Sequence, residues 1–312
     1  DRWKLQLAGA GRPTVTQQTS GGPAGFKDNF LRVQVATADS SVASSDMQVL
    51  KQVIEGHQAA FTDAGTSDAQ PLTLSFYVRS SVTGTFTATL YINFNNPSAV
   101  SYPAEYTISS ANTWELKTIT FPAFTTSSTM ATVGYTTGEF YQVRFALMAG
   151  SDKTGTANQW NSANDFASTN QTNLFATSNA TWDITGVQLE TGSASTEFEH
   201  RSFDEELFSC QRYFQLISGG SFPAASGTTL EGSVTRREMR AAPTIGATAA
   251  LKAEDPSVTV YTQSSALVTT VNADKFSEKM QLKNFSGLST QRPYFLRNPD
   301  AGSGQVTLEA EL

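Results

Sequence analysis

The residues best suited to chemistry in this sequence cluster in one polar stretch, Asn158-Gln159-Trp160-Asn161, followed by Asn164-Asp165-Phe166. An indole ring covers the apolar face of a pyranose while amides and carboxylates fix its hydroxyls, so Trp160, Asn158, Asn161, Asn164 and Asp165 form a candidate sugar site. The competing reading makes Trp160 a cap on the core and the amides the solubilising groups of a loop. Reactive groups are scarce elsewhere. The chain has two histidines, His57 and His200, and one cysteine, Cys210, with no H-E-x-x-H, G-x-S-x-G or phosphate-binding loop. Gly9-Ala10-Gly11 opens like a dinucleotide loop, but Pro13 follows and a helical pattern does not. Glu55 and His57 share a face at the end of a strand, where an ion pair demands less than an acid–base couple. His200 follows Glu197-Phe198-Glu199 and is expected beside a carboxylate. Cys210 reads as a small apolar residue on the buried face of a helix. Asp63, Asp68, Asp152 and Asp165 offer the oxygen ligands calcium takes, but they lack D-x-D-x-D spacing. They read as solvated carboxylates, and a structural calcium ion is not favoured. No catalytic residue, metal site or cofactor is expected.

The elements that must position these residues are strands. Charged residues make up 16% of the 312, against about 25% in an ordinary domain, so Ser, Thr, Asn and Gln supply the polar surface. Thr- and aromatic-rich segments fit a half-buried pleated sheet. Leu72, Leu74, Phe76 and Val78 alternate with polar residues, as do Phe86, Ala88, Leu90, Ile92 and Phe94. The spacer Ser80–Gly84 between these runs suggests an antiparallel pair. Tyr141, Val143, Phe145 and Leu147 form another inward face, with Gln142 and Arg144 pointing away; Leu31, Val33 and Val35 form a shorter one. Trp182 and Ile184 differ in parity from Val187 and Leu189, so a bulge at Gly186 is expected within one strand. Trp3, Trp114 and Trp182 lie in strand-like runs and read as core. Further strands are expected at 258–261, 266–271, 279–282 and 306–312. Ser202 and Glu205 have capping-box spacing, and Leu207, Cys210 and Phe214 then share a helical face. N-x-S/T triplets at Asn170, Asn179 and Asn284 are expected by chance in so Thr-rich a chain. The net charge of −7 opposes binding to nucleic acid or an anionic membrane, and no apolar run is long enough for a membrane-spanning helix. One cysteine excludes an internal disulfide. The chain starts at Asp1 without Met, and a segment upstream of it is expected.

One stretch carries a resemblance. Trp182-Asp183-Ile184-Thr185-Gly186-Val187-Gln188-Leu189-Glu190-Thr191-Gly192, then Thr196-Glu197-Phe198-Glu199-His200-Arg201-Ser202, resembles a segment common in virion proteins of phages and prophages. There it closes a jelly roll of carbohydrate-binding-module type. Glu205 to Phe214 is similar to the helix that leaves that domain, and Gln52–Gly56, Leu74–Ser80, Asn112–Glu115 and Glu238–Thr244 add further matches. The resemblance implies an all-β chain. A galactose-binding-like jelly-roll β-sandwich would occupy 1–201, a linking helix 202–216, and a second, smaller β-sandwich 217–312. It also implies a non-enzymatic structural protein at the surface of a tailed-phage virion. The implied roles are a fibre or adhesin that attaches to a host-surface glycan, a purely structural capsid-decoration or head-fibre protein, or an accessory sugar-binding module. The implied partners are further copies of the chain as a homotrimer, other virion proteins and a glycan. The family supplies no catalytic residues.

Overall fold

Strands with one apolar face need a second apolar face to bury against, and in the computed structural model of the chain they find it across a two-sheet sandwich. Residues 3–310 are described, except 27, 94–98, 127–135, 218, 274–276 and 298–302, so Phe94 lies outside the described residues. The chain divides into two compact units, Trp3–His200 and Arg201–Leu312.

In the first unit the strands are β1 (Trp3–Ala8), β2 (Arg12–Gln18), β3 (Phe30–Thr37), β4 (Met47–Glu55), β5 (Leu72–Ser80), β6 (Gly84–Ile92), β7 (Val100–Ile108), β8 (Glu115–Phe121), β9 (Glu139–Ala149), the short β10 (Thr154–Gly155) and β11 (Ala167–Ser168), and β12 (Thr181–Thr191). Two five-stranded antiparallel sheets, β1-β4-β9-β6-β7 and β2-β3-β12-β5-β8, face each other as a jelly-roll sandwich. The alternation seen in the sequence sets the core: Val33, Val35, Leu74, Phe76, Val78, Phe86, Leu90 and Phe145 are all essentially inaccessible. Phe76 of one sheet meets Tyr106 and Phe145 of the other edge-on at 5.1 and 5.0 Å, and Trp182 joins them at 5.5 Å from Phe145. Each such ring contributes ~2–3 kcal/mol by leaving water.

The β5–β6 pairing suggested by the sequence does not form. β5 pairs with β12 and β8, whereas β6 pairs with β7 and β9 in the opposite sheet. The connecting residues bond to β12 instead of closing a hairpin. The Ser80 hydroxyl and the Ser81 amide both donate to the Thr181 carbonyl, and the Thr181 amide donates back to Ser81 Oγ. The bulge is where parity places it, between Thr185 and Gln188, with Gly186 at φ +59°.

In the second unit, helix α1 (Phe203–Gln211) carries the expected capping box: Ser202 Oγ accepts from the Glu205 amide and Glu205 Oε2 accepts from the Ser202 amide. The buried face assigned to it is not observed. No residue of the helix is fully buried, Cys210 is half-buried, and Leu207 and Phe214 are 42% and 40% exposed. The helix stops at Gln211, Phe214 begins a strand, and Tyr213 between them takes the buried position at 2% exposure. The strands that follow are β13 (Phe214–Ile217), β14 (Ser221–Ser226), β15 (Thr229–Thr235), β16 (Thr244–Ala247), β17 (Lys252–Glu254), β18 (Val260–Thr262), β19 (Val268–Ala273), β20 (Ser277–Leu282), β21 (Pro293–Leu296) and β22 (Val306–Glu309). They form a three-stranded sheet, β13-β22-β16, and a seven-stranded sheet, β18-β17-β21-β14-β15-β20-β19, around Phe222, Met280, Tyr294 and Leu308.

Gly186 is required twice over, by its positive φ and by Phe26, whose Cζ would lie 2.5 Å from an added Cβ. Gly186→Ala is expected to lower unfolding free energy by about 1–3 kcal/mol in urea titrations. A change below ~0.5 kcal/mol would show that the bulge and its aromatic cover adapt freely.

Candidate functional site

Period-two alternation aims Gln142 and Arg144 of β9 away from the core, where solvent would be the default. Both are instead buried, at 4% and 2% exposure. The segment after β9 returns across this outer face and is tied down by side chains of the underlying strands. Thr89 Oγ1 donates to the Phe166 carbonyl at 2.8 Å, the Ser168 amide donates to Thr87 Oγ1 at 3.1 Å, and Ser101 and Asn161 exchange backbone bonds. Arg144 is the central fastening. Its Nε donates to Gln142 Oε1, and its Nη1 donates to Asn164 Oδ1 and the Asp165 carbonyl, at 2.7, 2.7 and 3.1 Å. The guanidinium carbon lies 3.9 Å from the Tyr91 ring centroid and 4.2 Å from that of Phe166, so the cation is stacked between two π faces. Burial pulls its pKa down to about 10, which leaves it charged at neutral pH.

The residues proposed for a sugar site are gathered on this segment, and each has a structural task there. Trp160 packs edge-on against Tyr102 and Phe124, with centroids at 5.3 and 5.1 Å, and its indole N–H donates to the Pro122 carbonyl at 3.0 Å. It borders a cleft that includes Gln70, Leu72, Phe121 and Tyr141, whose cavity volume of about 10 Å³ is room for a single water and far below the ~300–1,000 Å³ of a ligand pocket. Asn158 takes a left-handed turn at φ +57° and accepts from the Glu105 amide. Asn161 donates to the Thr156 and Gln159 carbonyls, Asn164 accepts from Arg144, and Asp165 accepts from Ser101 Oγ at 3.3 Å. Burial raises the Asp165 pKa, opposed by Ser101 and Arg144.

Beyond the covered region the same sheet face carries half-exposed polar groups that sequence reasoning did not single out. Lys4 of β1 lies directly opposite Lys51 of β4, and Lys51 lies opposite Arg144 of β9. Gln6, also half-buried, follows on the same face of β1, and its buried Oε1 lacks a hydrogen-bond partner. Burial lowers the Lys51 pKa, reinforced by Arg144 and Lys4 and opposed by Glu139. The only sequence signal for this row is two lysines and an arginine within apolar strand patterns; their adjacency requires the register.

The opposite sheet has its own polar cluster. Asp183, 1% exposed, binds Arg32 through both oxygens at 2.8 and 2.9 Å and Arg79 Nε at 2.9 Å. Arg79 also covers Trp114, 4.7 Å from its ring. Trp114 is therefore not a core residue: it precedes β8 and clasps the Gly21 carbonyl from outside the sheet. His57 is exposed on a short turn of helix after β4 while Glu55 is buried, so the two do not share a strand face. His200 packs tilted against Phe26 and edge-on against Phe198, with ring centroids at 5.5 and 5.0 Å, where a carboxylate was expected. Among the described residues no three His, Cys, Asp or Glu side chains gather in a metal-binding group; Asp152 accepts from Ser44 and Asp63 ends a 3₁₀ turn.

No family model matches the sequence, and no curated protein sequence resembles it. Solved structures align with 58–64% of the chain. One is the enzymatically active domain of tailspike protein 4 from bacteriophage CBA120, with 13% identity and a TM-score of 0.36; the match spans 61% of this chain and 19% of that one. Another is the CBM22-2 xylan-binding domain of Paenibacillus barcinonensis Xyn10C, with 9% identity over 61% of this chain and 92% of that one, and a TM-score of 0.35. A third is the family 11 carbohydrate-binding module of Clostridium thermocellum in complex with a mixed-linked tetrasaccharide, with 9% identity over 60% and 88% of the two chains and a TM-score of 0.31.

Arg144→Met keeps much of the volume but leaves the Gln142, Asn164 and Asp165 acceptors without their donor. It is expected to cost about 2–4 kcal/mol of stability and to speed proteolysis between residues 155 and 164. Unchanged proteolysis would show that the segment is held without the guanidinium.

Proposed function

We propose that this chain is a non-enzymatic, saccharide-binding structural protein of a tailed-phage virion, a fibre or adhesin whose jelly roll contacts a host-surface glycan. The observation that carries the saccharide contact is the outer face of the first sheet. There the half-exposed amines of Lys4 and Lys51 stand in one row with the covered Arg144. A strand face offers such groups at fixed spacing without loop ordering, which suits a repeating hydroxylated ligand. The virion assignment rests on the resemblance through Trp182–Ser202, and assembly of further copies as a homotrimer on the particle surface belongs to the same reading.

A second reading, capsid decoration with no ligand, is favoured by one fact. Asn158, Asn161, Asn164 and Asp165 spend their side chains on internal bonds. A glycan array probed with the soluble chain separates the two. Binding is expected, and Lys51→Gln is expected to weaken it by several-fold. An array without signal at high protein concentration would sink the adhesin reading in favour of decoration.

A further inference from the structure

Large apolar side chains scattered singly over a surface need no explanation, but one group in the second unit is not scattered. Of the fourteen that are exposed among the described residues, five lie within residues 203–216: Phe203, Leu207 and Phe208 on α1, and Phe214 and Leu216 on β13. At 100° per residue Phe203, Leu207 and Cys210 form one seam along α1, with the four–three spacing of helices that pack side by side. Phe214 and Leu216 point away from the core, because Gln215 and Ile217 between and after them lie opposite the buried Leu308 and Val306. The five side chains expose roughly 500 Å² of apolar surface, close to the apolar share of the ~800 Å² that each partner gives to a standard interface. A helix of nine residues is marginal by itself, and a facing seam would supply the burial that α1 lacks.

The charges along α1 select the occupant. Asp204, Glu205 and Glu206 fill its first turn. At the other end Gln215 Nε2 donates to the Gln211 and Arg237 carbonyls, which holds Arg237 beside the last turn, and its guanidinium lies 4.4 Å from the Phe208 ring. Asp204 and Phe208 share one flank of the seam. Asp204, Glu206 and Arg237 have no ion-pair partner among the described residues. The helix is thus negative at its start and positive beside its end. Two copies laid antiparallel match Asp204 of each with Arg237 of the other and oppose their helix dipoles favourably. Parallel copies would bring their acidic first turns together.

We propose that α1 and β13 form a contact with a second copy of this chain, the two α1 helices packing antiparallel about a two-fold axis with Phe203, Leu207 and Phe208 between them. The contact is independent of the saccharide reading. It joins two chains, or two threefold assemblies where those also form, so the expected species are dimers or hexamers.

Sedimentation velocity of the full chain at micromolar concentrations is expected to show such an even-numbered species. Leu207→Gln, at an exposed position, is expected to weaken association at least about tenfold with an unchanged circular dichroism spectrum. Asp204→Arg and Arg237→Asp are each expected to weaken it about tenfold, and the double variant with exchanged charges to regain it within about threefold. A monomer at every concentration, or a trimer alone, would overturn the proposal. Association indifferent to Leu207→Gln would overturn it as well, by placing the contact on another surface. A double variant that associates no better than the single ones would do the same, because the acidic end of one helix would then not meet the basic end of the other.

Discussion

Arg144 brings a full positive charge to a buried position between two aromatic rings, and among the described residues no carboxylate lies within ion-pairing distance of it. A buried cation is tolerated only when its donors are satisfied, and here the acceptors are an amide of the same strand, an amide of the covering segment and a backbone carbonyl. Two of those three belong to residues 164 and 165, so the charge can be buried only if the segment lies on the sheet. The segment lies there only if Gly155 remains small, since a Cβ at that position would collide with the Asp165 carboxylate. The placement of Trp160 over Tyr102 and Phe124 follows from the same anchoring. One guanidinium thus couples a strand interior to the seating of a long polar connection.

The second sheet solves a similar problem with opposite means. Asp183 is as buried as Arg144 but receives two arginines, one from each neighbouring strand, so its charge is more than matched. The surplus of donors reaches outward: Arg79 Nη1 donates to the Gly21 carbonyl, to which Trp114 Nε1 also donates, and the chain at Gly21 is held against the sheet. The chain after β12 folds back onto this face as well. Glu190 accepts from the Thr196 amide and hydroxyl, Gln188 accepts from the Glu199 amide, and Phe198 and His200 close on Phe26 above Gly186. The segment 182–200 is therefore one device, in which an acid sets the strand, a glycine bends it and a tail covers the bend.

How much of this was legible in the sequence differs from element to element for physical reasons. Inward-facing residues were readable, because period-two alternation reports directly which side chains leave water, and Leu74, Phe76, Phe86 and Phe145 are buried as expected. The Gly186 bulge was readable from the same signal, as a shift of parity. Sheet membership was not: alternation is identical whether β5 pairs with β6 or faces it across the core, and bonds from Ser80 and Ser81 to Thr181 decide. The burial of Gln142 and Arg144 was hidden because a local pattern describes one strand and cannot register a segment that returns to cover it. The Lys4–Lys51–Arg144 row was hidden for a related reason, since its members are separated by dozens of residues and meet only through two strand registers. For the loop residues, composition named an aromatic flanked by amides, but composition cannot say whether an amide faces a ligand or its own backbone.

The same distinction governs the helix of the second unit. A capping box and an acidic first turn are local devices, and they work as the sequence says: hydrogen bonds from Ser202 hold the Glu205 carboxyl below its ordinary pKa. Burial of an apolar face is not local, and Phe203 and Phe208 remain 78% and 63% exposed. A helix of nine residues is marginal on propensity alone, so its caps and the stacking of Arg237 on Phe208 must contribute a large share of its stability. Local signals therefore placed the start of this helix, while its end at Gln211, short of the expected 216, and its packing depend on contacts the local signals do not encode. In the jelly roll the order is reversed, because there long-range burial fixes strands whose ends carry little local instruction.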